Sequence, residues 1–176
     1  MHTRFMEHRL LEYDPSVTVA FTGHRTYRGE ALRELDLTVE QLTREGYTDF
    51  LCGMALGFDM AAAESVMRMR TLLPGRTIRL TAVVPFRGQA SHFGSAERSR
   101  YHRILESADR VICLAESYSP DCYMRRNDFL VDNSTVTVAW YDGAHVGGTH
   151  YTVQRARRRA CRIINLRPSE QLEIAF

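Results

Sequence analysis

Apolar residues gather in six short runs along the chain: residues 17–22 (VTVAFT), 48–52 (TDFLC), 77–84 (TIRLTAVV), 109–114 (DRVICL), 135–140 (TVTVAW) and 162–166 (RIINL). Runs of this length, rich in β-branched residues, predict strands buried on both faces. Between them the apolar positions recur with a helical period. Leu32, Leu35, Val39 and Leu42 are spaced by three and four, and further helical stretches run from Ala61 to Leu73, Ala96 to Ser107, Tyr123 to Val131 and Thr149 to Ala160. Strand and helix alternate throughout, with no linker, low-complexity tract or internal repeat. The pattern predicts an α/β fold, a mainly parallel sheet with helices on both faces.

In such a sheet ligands meet the carboxyl ends of the strands, where loops lead into helix N-termini. Four of these loops carry unusual residues. In TGHRTYRG, Gly23 marks a turn, and His24 and Arg25 are either a solvated loop pair or the receivers of an anion. In CGMALGFDMAAAE, Gly53 and Gly57 flank a loop that opens into an Ala-rich helix, offering backbone N–H groups to a polar ligand. Asp59 there either complements the helix dipole or accepts hydrogen bonds from ribose hydroxyls. In VPFRGQASHFGSAERSRYHRI, the polar loop is long, and Arg87 or His92 is placed either to close over a ligand or simply to lie on a mobile surface. In YDGAHVGGTHYTVQRA, Gly147 and Gly148 let the backbone approach a phosphate, while Thr149 supplies a hydroxyl and a helix cap.

Composition narrows the chemistry. A chain of 176 residues is the size of one domain, and 44% hydrophobic with 25% charged residues is ordinary for a globular protein. No apolar run approaches the roughly 20 residues of a membrane span, and the first residues lack the apolar stretch of a secretory signal, so a cytoplasmic protein without a membrane partner is expected. The 23 basic residues are all arginine. Without lysine, Schiff-base and Walker A chemistries are excluded, whereas the forked guanidinium suits phosphate or carboxylate. Cys52, Cys113, Cys122 and Cys161 have no C-x-x-C spacing and read as reduced thiols; the seven histidines show no ligand spacing, so no metal is expected. The dinucleotide fingerprint G-x-G-x-x-G is missing, and no cofactor is called for.

Taken in order, FTGHR, CGMALGFDMAAAE, VVPF, YMRRNDFLVD and GGTHYTVQRA resemble the YpsA-like branch of the SLOG superfamily, the Rossmann-like group that also holds DprA and the LOG proteins. The resemblance spans residues 17–165. It implies a single Rossmann-like domain over residues 16–176, with residues 1–15 as an N-terminal extension, and binding or processing of nucleotide-derived ligands. Against the LOG enzymes, Arg125 and Arg126 resemble the basic pair, and Gly147, Gly148 and Thr149 the phosphate loop with one glycine missing. Arg126 and Asn127 stand where the family has a polar pair. Tyr151 and Thr152 occupy the positions expected to hold the catalytic glutamate, and a hydroxyl does not stabilise a cationic sugar as a carboxylate does. Three functions stay open: a sensor or binding protein for a nucleotide-derived small molecule, a nucleoside-monophosphate N-glycosidase, and DprA-like single-stranded nucleic-acid binding. Only the run QRARRRACRIINLR, with six arginines from Arg155 to Arg167, favours the last. Assembly into a homo-oligomer is left open.

Overall fold

A computed structural model describes residues 13–167. The apolar runs form strands β1 (Thr18–Gly23), β2 (Asp49–Cys52), β3 (Arg79–Val84), β4 (Arg110–Cys113), β5 (Val136–Trp140) and β6 (Arg162–Asn165). The periodic stretches form helices α1 (Leu32–Arg44), α2 (Phe58–Leu72), α3 (Ser95–Ser107), α4 (Cys122–Asp132) and α5 (Gly148–Arg158). All six strands join one sheet in the order β4-β3-β2-β1-β5-β6, and every neighbouring pair is parallel. The fold is the expected single α/β domain.

Alternate residues along each strand serve opposite faces, as the two-residue strand period requires. Val19, Phe21, Phe50 and Leu80 pack with Leu35, Val39, Val66 and Ile104 of α1, α2 and α3 in the larger core. Ala20, Leu51, Val83 and Ile112 point the other way, towards Leu130 of α4. Ala139 packs with Val153 of α5. Burying each such aliphatic side chain is worth about 1.5–3 kcal/mol, and this two-sided burial is why the strands read as near-continuous apolar runs.

Leu32 departs from the expected buried stripe: it is 44% exposed. The inward position one turn before Leu35 belongs to Ala31, whose carbonyl accepts the Leu35 N–H at 2.9 Å. Of the expected extension, residues 1–12 lie outside the described residues. Tyr13 packs onto the fold, its hydroxyl donating to Thr81 Oγ1 at 3.1 Å and its ring meeting Phe129 edge-on. The four cysteines are free thiols, Cys52 and Cys122 buried and the other two partly so.

The topology creates a crevice. From β1 the chain steps outward to β4, then returns to β5 on the other side of β1. Helices leaving β1 and β5 therefore cover opposite faces, and the carboxyl ends of these two strands part where a ligand fits in open α/β sheets.

Candidate functional site

A cavity of about 350 Å³ opens at that point. The end of β1 contributes Gly23, His24 and Arg25, α2 contributes Asp59, α4 contributes Tyr123, Arg126 and Asn127, and the start of α5 contributes Gly147, Gly148 and Thr149. Nine residues singled out in the sequence thus meet around one space.

Its floor is an unusual charge pair. Arg126 and Asp59 are both buried, and their charged ends lie 3.6 Å apart, too far for a hydrogen bond. Arg126 donates through Nη1 to the Gly53 carbonyl and through Nε to Asn127 Oδ1 at 2.8 Å; Asp59 accepts the Ala55 N–H at 3.2 Å. Burial pushes the Asp59 carboxyl above its ordinary range although the Arg126 charge opposes it, and burial likewise pulls the Arg126 guanidinium down. The pair is therefore held in a costly state, and an anion from solvent would find a cation with donors to spare.

At the rim, His24 Nε2 lies 2.8 Å from Asp142 Oδ1. The Ala144 amide and the His24 imidazole hold the Asp142 carboxyl below its usual range. Arg25 is exposed, with its guanidinium 5.4 Å from the centre of the Tyr123 ring. Opposite them, Gly147 stands at the N-cap of α5 and has no side chain to cap it, so the first N–H groups of this helix have no intrahelical partner. Thr149 is not the expected cap. The cap position is Gly147, two residues earlier, which places Thr149 inside the first turn and on the cavity wall.

Four expected site residues lie elsewhere. Gly53 sits under Arg126, where a Cβ would come within 2.5 Å of Nη1, so it makes room for the guanidinium rather than for a ligand. Gly57 turns the chain into α2 against the carbonyls of His24 and Arg25, and the Phe58 N–H at the start of that helix donates to His24 O at 3.3 Å. Arg87 points away and is bound by Glu116 through Nε at 2.8 Å. Arg125 lies on the outer side of α4 beside Asp128 and Phe129. The long loop after β3 is also anchored: Gln89 is buried, donating to Met54 O at 3.1 Å and accepting from the Tyr101 hydroxyl at 3.3 Å.

Two residues were missed. Tyr123 had a visible signal, since it opens a helix that follows a strand's carboxyl end. Asp142 had none, because its partner His24 is 118 residues away. Four of the six arginines in the run are paired, Arg155 and Arg159 with Asp132, Arg162 with Glu45, and Arg167 with Asp142, while Arg157 and Arg158 are exposed.

A family model described as the YspA SLOG family matches residues 30–166. The chain belongs to that family. A UPF0398 protein of Halalkalibacterium halodurans is 33% identical over 120 residues, 67% of this chain and 62% of the relative. The SPbeta prophage-derived protein YoqJ of Bacillus subtilis is 30% identical over 120 residues, 61% of this chain and 69% of its own length. The chain thus spans less than two thirds of the first of these relatives. Among solved structures, DNA processing protein A of Streptococcus pneumoniae superposes with a TM-score of 0.62 at 16% identity, covering 90% of this chain and 52% of that one. The Helicobacter pylori protein of the same name, described for its single-stranded DNA binding mode, gives 0.58 at 17% identity, covering 85% and 64%. At such identities the likeness is one of fold. Among the described residues no helix is long and apolar enough to cross a membrane.

Proposed function

We propose that this SLOG chain binds a nucleotide or nucleotide-derived small molecule at the β1/β5 crevice, acting as a sensor or binding protein. The observation that carries the reading is the convergence on one cavity of the uncapped α5 N-terminus, the buried Arg126 and the exposed Arg25. Helix N–H groups and guanidinium forks are the two protein devices best suited to phosphate. Asp59, on the same wall, is an acceptor suited to sugar hydroxyls.

An N-glycosidase is the second reading, and one observation favours it: Asp59 is a carboxylate inside the cavity, with its proton affinity raised by burial. Against it, the side chains at the expected glutamate positions are engaged elsewhere. The Tyr151 hydroxyl donates to Asp128 at 2.7 Å and the Thr152 hydroxyl to the Gly148 carbonyl at 2.8 Å. Nucleic-acid binding of the kind described for the Helicobacter pylori protein draws on the shared fold alone, and the pairing of the arginine run weighs against it.

Melting curves with a panel of nucleoside mono-, di- and triphosphates test the proposal. A ligand at a hundredfold excess over its dissociation constant adds about 2.7 kcal/mol, which for a chain of this length raises the midpoint by roughly 5–10 °C. No shift across the panel refutes it. Release of free base, followed by chromatography, would turn the binding protein into an enzyme.

A further inference from the structure

Beside the cavity, three aromatic rings from three segments meet. Phe86 follows β3, Tyr118 lies in the loop after β4, and Tyr123 stands in the first turn of α4. The ring centres are 5.6 Å apart for Phe86 and Tyr118, 6.0 Å for Phe86 and Tyr123, and 6.4 Å for Tyr118 and Tyr123, each pair edge to face. Tyr118 is nonetheless 61% exposed. A ring braced by the edges of two others has already surrendered most of its freedom, so a flat group that settles on its open face loses little more.

The cluster is continuous with the cavity. Tyr123 belongs to both, and Arg25, which also lines the cavity, lies over the Tyr123 ring. Cationic donors and buried carboxylate thus adjoin a planar apolar surface. A molecule matching this order is anionic at one end, hydroxylated in the middle and aromatic at the other.

We infer that Phe86, Tyr118 and Tyr123 form the base-stacking platform of a mononucleotide whose phosphate and sugar occupy the cavity. This rests on the reading of the cavity as a nucleotide site and goes further, because it requires the base to contribute to affinity and excludes a bare sugar phosphate as the preferred ligand. A single nucleotide is favoured over a nucleic-acid strand. Strand-binding surfaces need a basic track for successive phosphates, and here Arg155, Arg159, Arg162 and Arg167 are each held by a carboxylate.

The test is calorimetric titration of the intact chain with the four common nucleoside monophosphates and with ribose 5-phosphate, repeated for Tyr118→Ala and Tyr118→Phe. At least one monophosphate should bind more tightly than ribose 5-phosphate. Tyr118→Ala should weaken that nucleotide about fivefold to a hundredfold, the range for loss of one base–aromatic stack, while leaving ribose 5-phosphate unchanged. Tyr118→Phe should retain the affinity. Equal binding of nucleotide and sugar phosphate, or an unaffected Tyr118→Ala, overturns the platform and leaves the cavity reading standing. Failure of every probe to bind overturns the platform, and the cavity reading falls with it when the di- and triphosphates of the melting panel fail as well. A short oligonucleotide that binds with steep salt dependence and is not displaced by a monophosphate replaces the mononucleotide with a strand.

Discussion

Replacing Gly57 by alanine strikes the joint between the two loops that build the cavity wall. Gly57 has φ +80° and ψ −119°, a region that an L side chain enters only at a cost of about 1–3 kcal/mol. A Cβ at this position would also stand 2.6 Å from the Arg25 carbonyl oxygen and 2.7 Å from that of His24. Neither atom is the free end of a side chain, so the backbone must move, and such overpacking adds about 1–3 kcal/mol. The combined loss is about 2–6 kcal/mol, or a fall in melting temperature of roughly 4–24 °C. Gly29→Ala is the matched control. Its φ is +105°, but nothing stands within 4 Å of the added carbon, so only the conformational part is paid. Urea denaturation of the wild type and both variants should therefore rank Gly57→Ala well below Gly29→Ala. Ligand affinity should fall in Gly57→Ala alone, because His24 and Arg25 are carried on the displaced carbonyls. Equal losses in the two variants would show that close approach contributes nothing and that the reasoning is wrong.

Arg25→Ala should weaken whichever nucleotide raises the melting temperature by about tenfold, the low end for a charge-assisted hydrogen bond because the side chain is exposed, and unchanged affinity in calorimetry would remove Arg25 from the site. Arg158→Ala, on the exposed side of α5, should leave affinity unchanged and stability within about 0.5 kcal/mol; a large loss of binding there would restore the basic helix as an interface. Asp49→Asn probes the acid response. Burial raises the Asp49 carboxyl, but the Arg79 fork at 2.8 and 2.6 Å and the Thr48 hydroxyl outweigh it and hold the group below its ordinary value. The stability this pair contributes is present above the unfolded value of about 3.9 and is lost as pH falls through the lowered folded one. Urea midpoints measured from pH 6 downward should decline less steeply in Asp49→Asn, and parallel curves would contradict the assignment.

The layout of strands and helices was legible because burial on both faces writes itself as an unbroken apolar run and amphipathic packing as a three-four repeat. Leu32 was misread for a local reason: alanine, too small to look like a core residue, holds the inward position. The cavity was legible in part, since its glycines and arginines stand at strand ends. What the sequence could not show was which partner each polar group would choose. Arg87 and Arg126 look alike in a string of letters. One meets Glu116 across a loop, and the other is buried because Gly53, 73 residues earlier, has no side chain in its way. The same limit hid Asp142.

The order of strands in the sheet has a kinetic meaning. His24 emerges with the first strand and Asp142 only after the fifth, and the hydrogen bond between them spans 118 residues. A cavity lined by residues from Phe21 to Thr149 needs both the first and the fifth strand in place, and contacts between such distant segments are expected to form late because the intervening loop must close first. If the proposed ligand binds there, binding reports that these distant segments have come together, and the bound molecule would act as a clasp across the β1/β5 seam. Amide exchange along that seam should slow when the cavity is filled, while the outer β3/β4 pair, folded from neighbouring stretches, keeps its own rate.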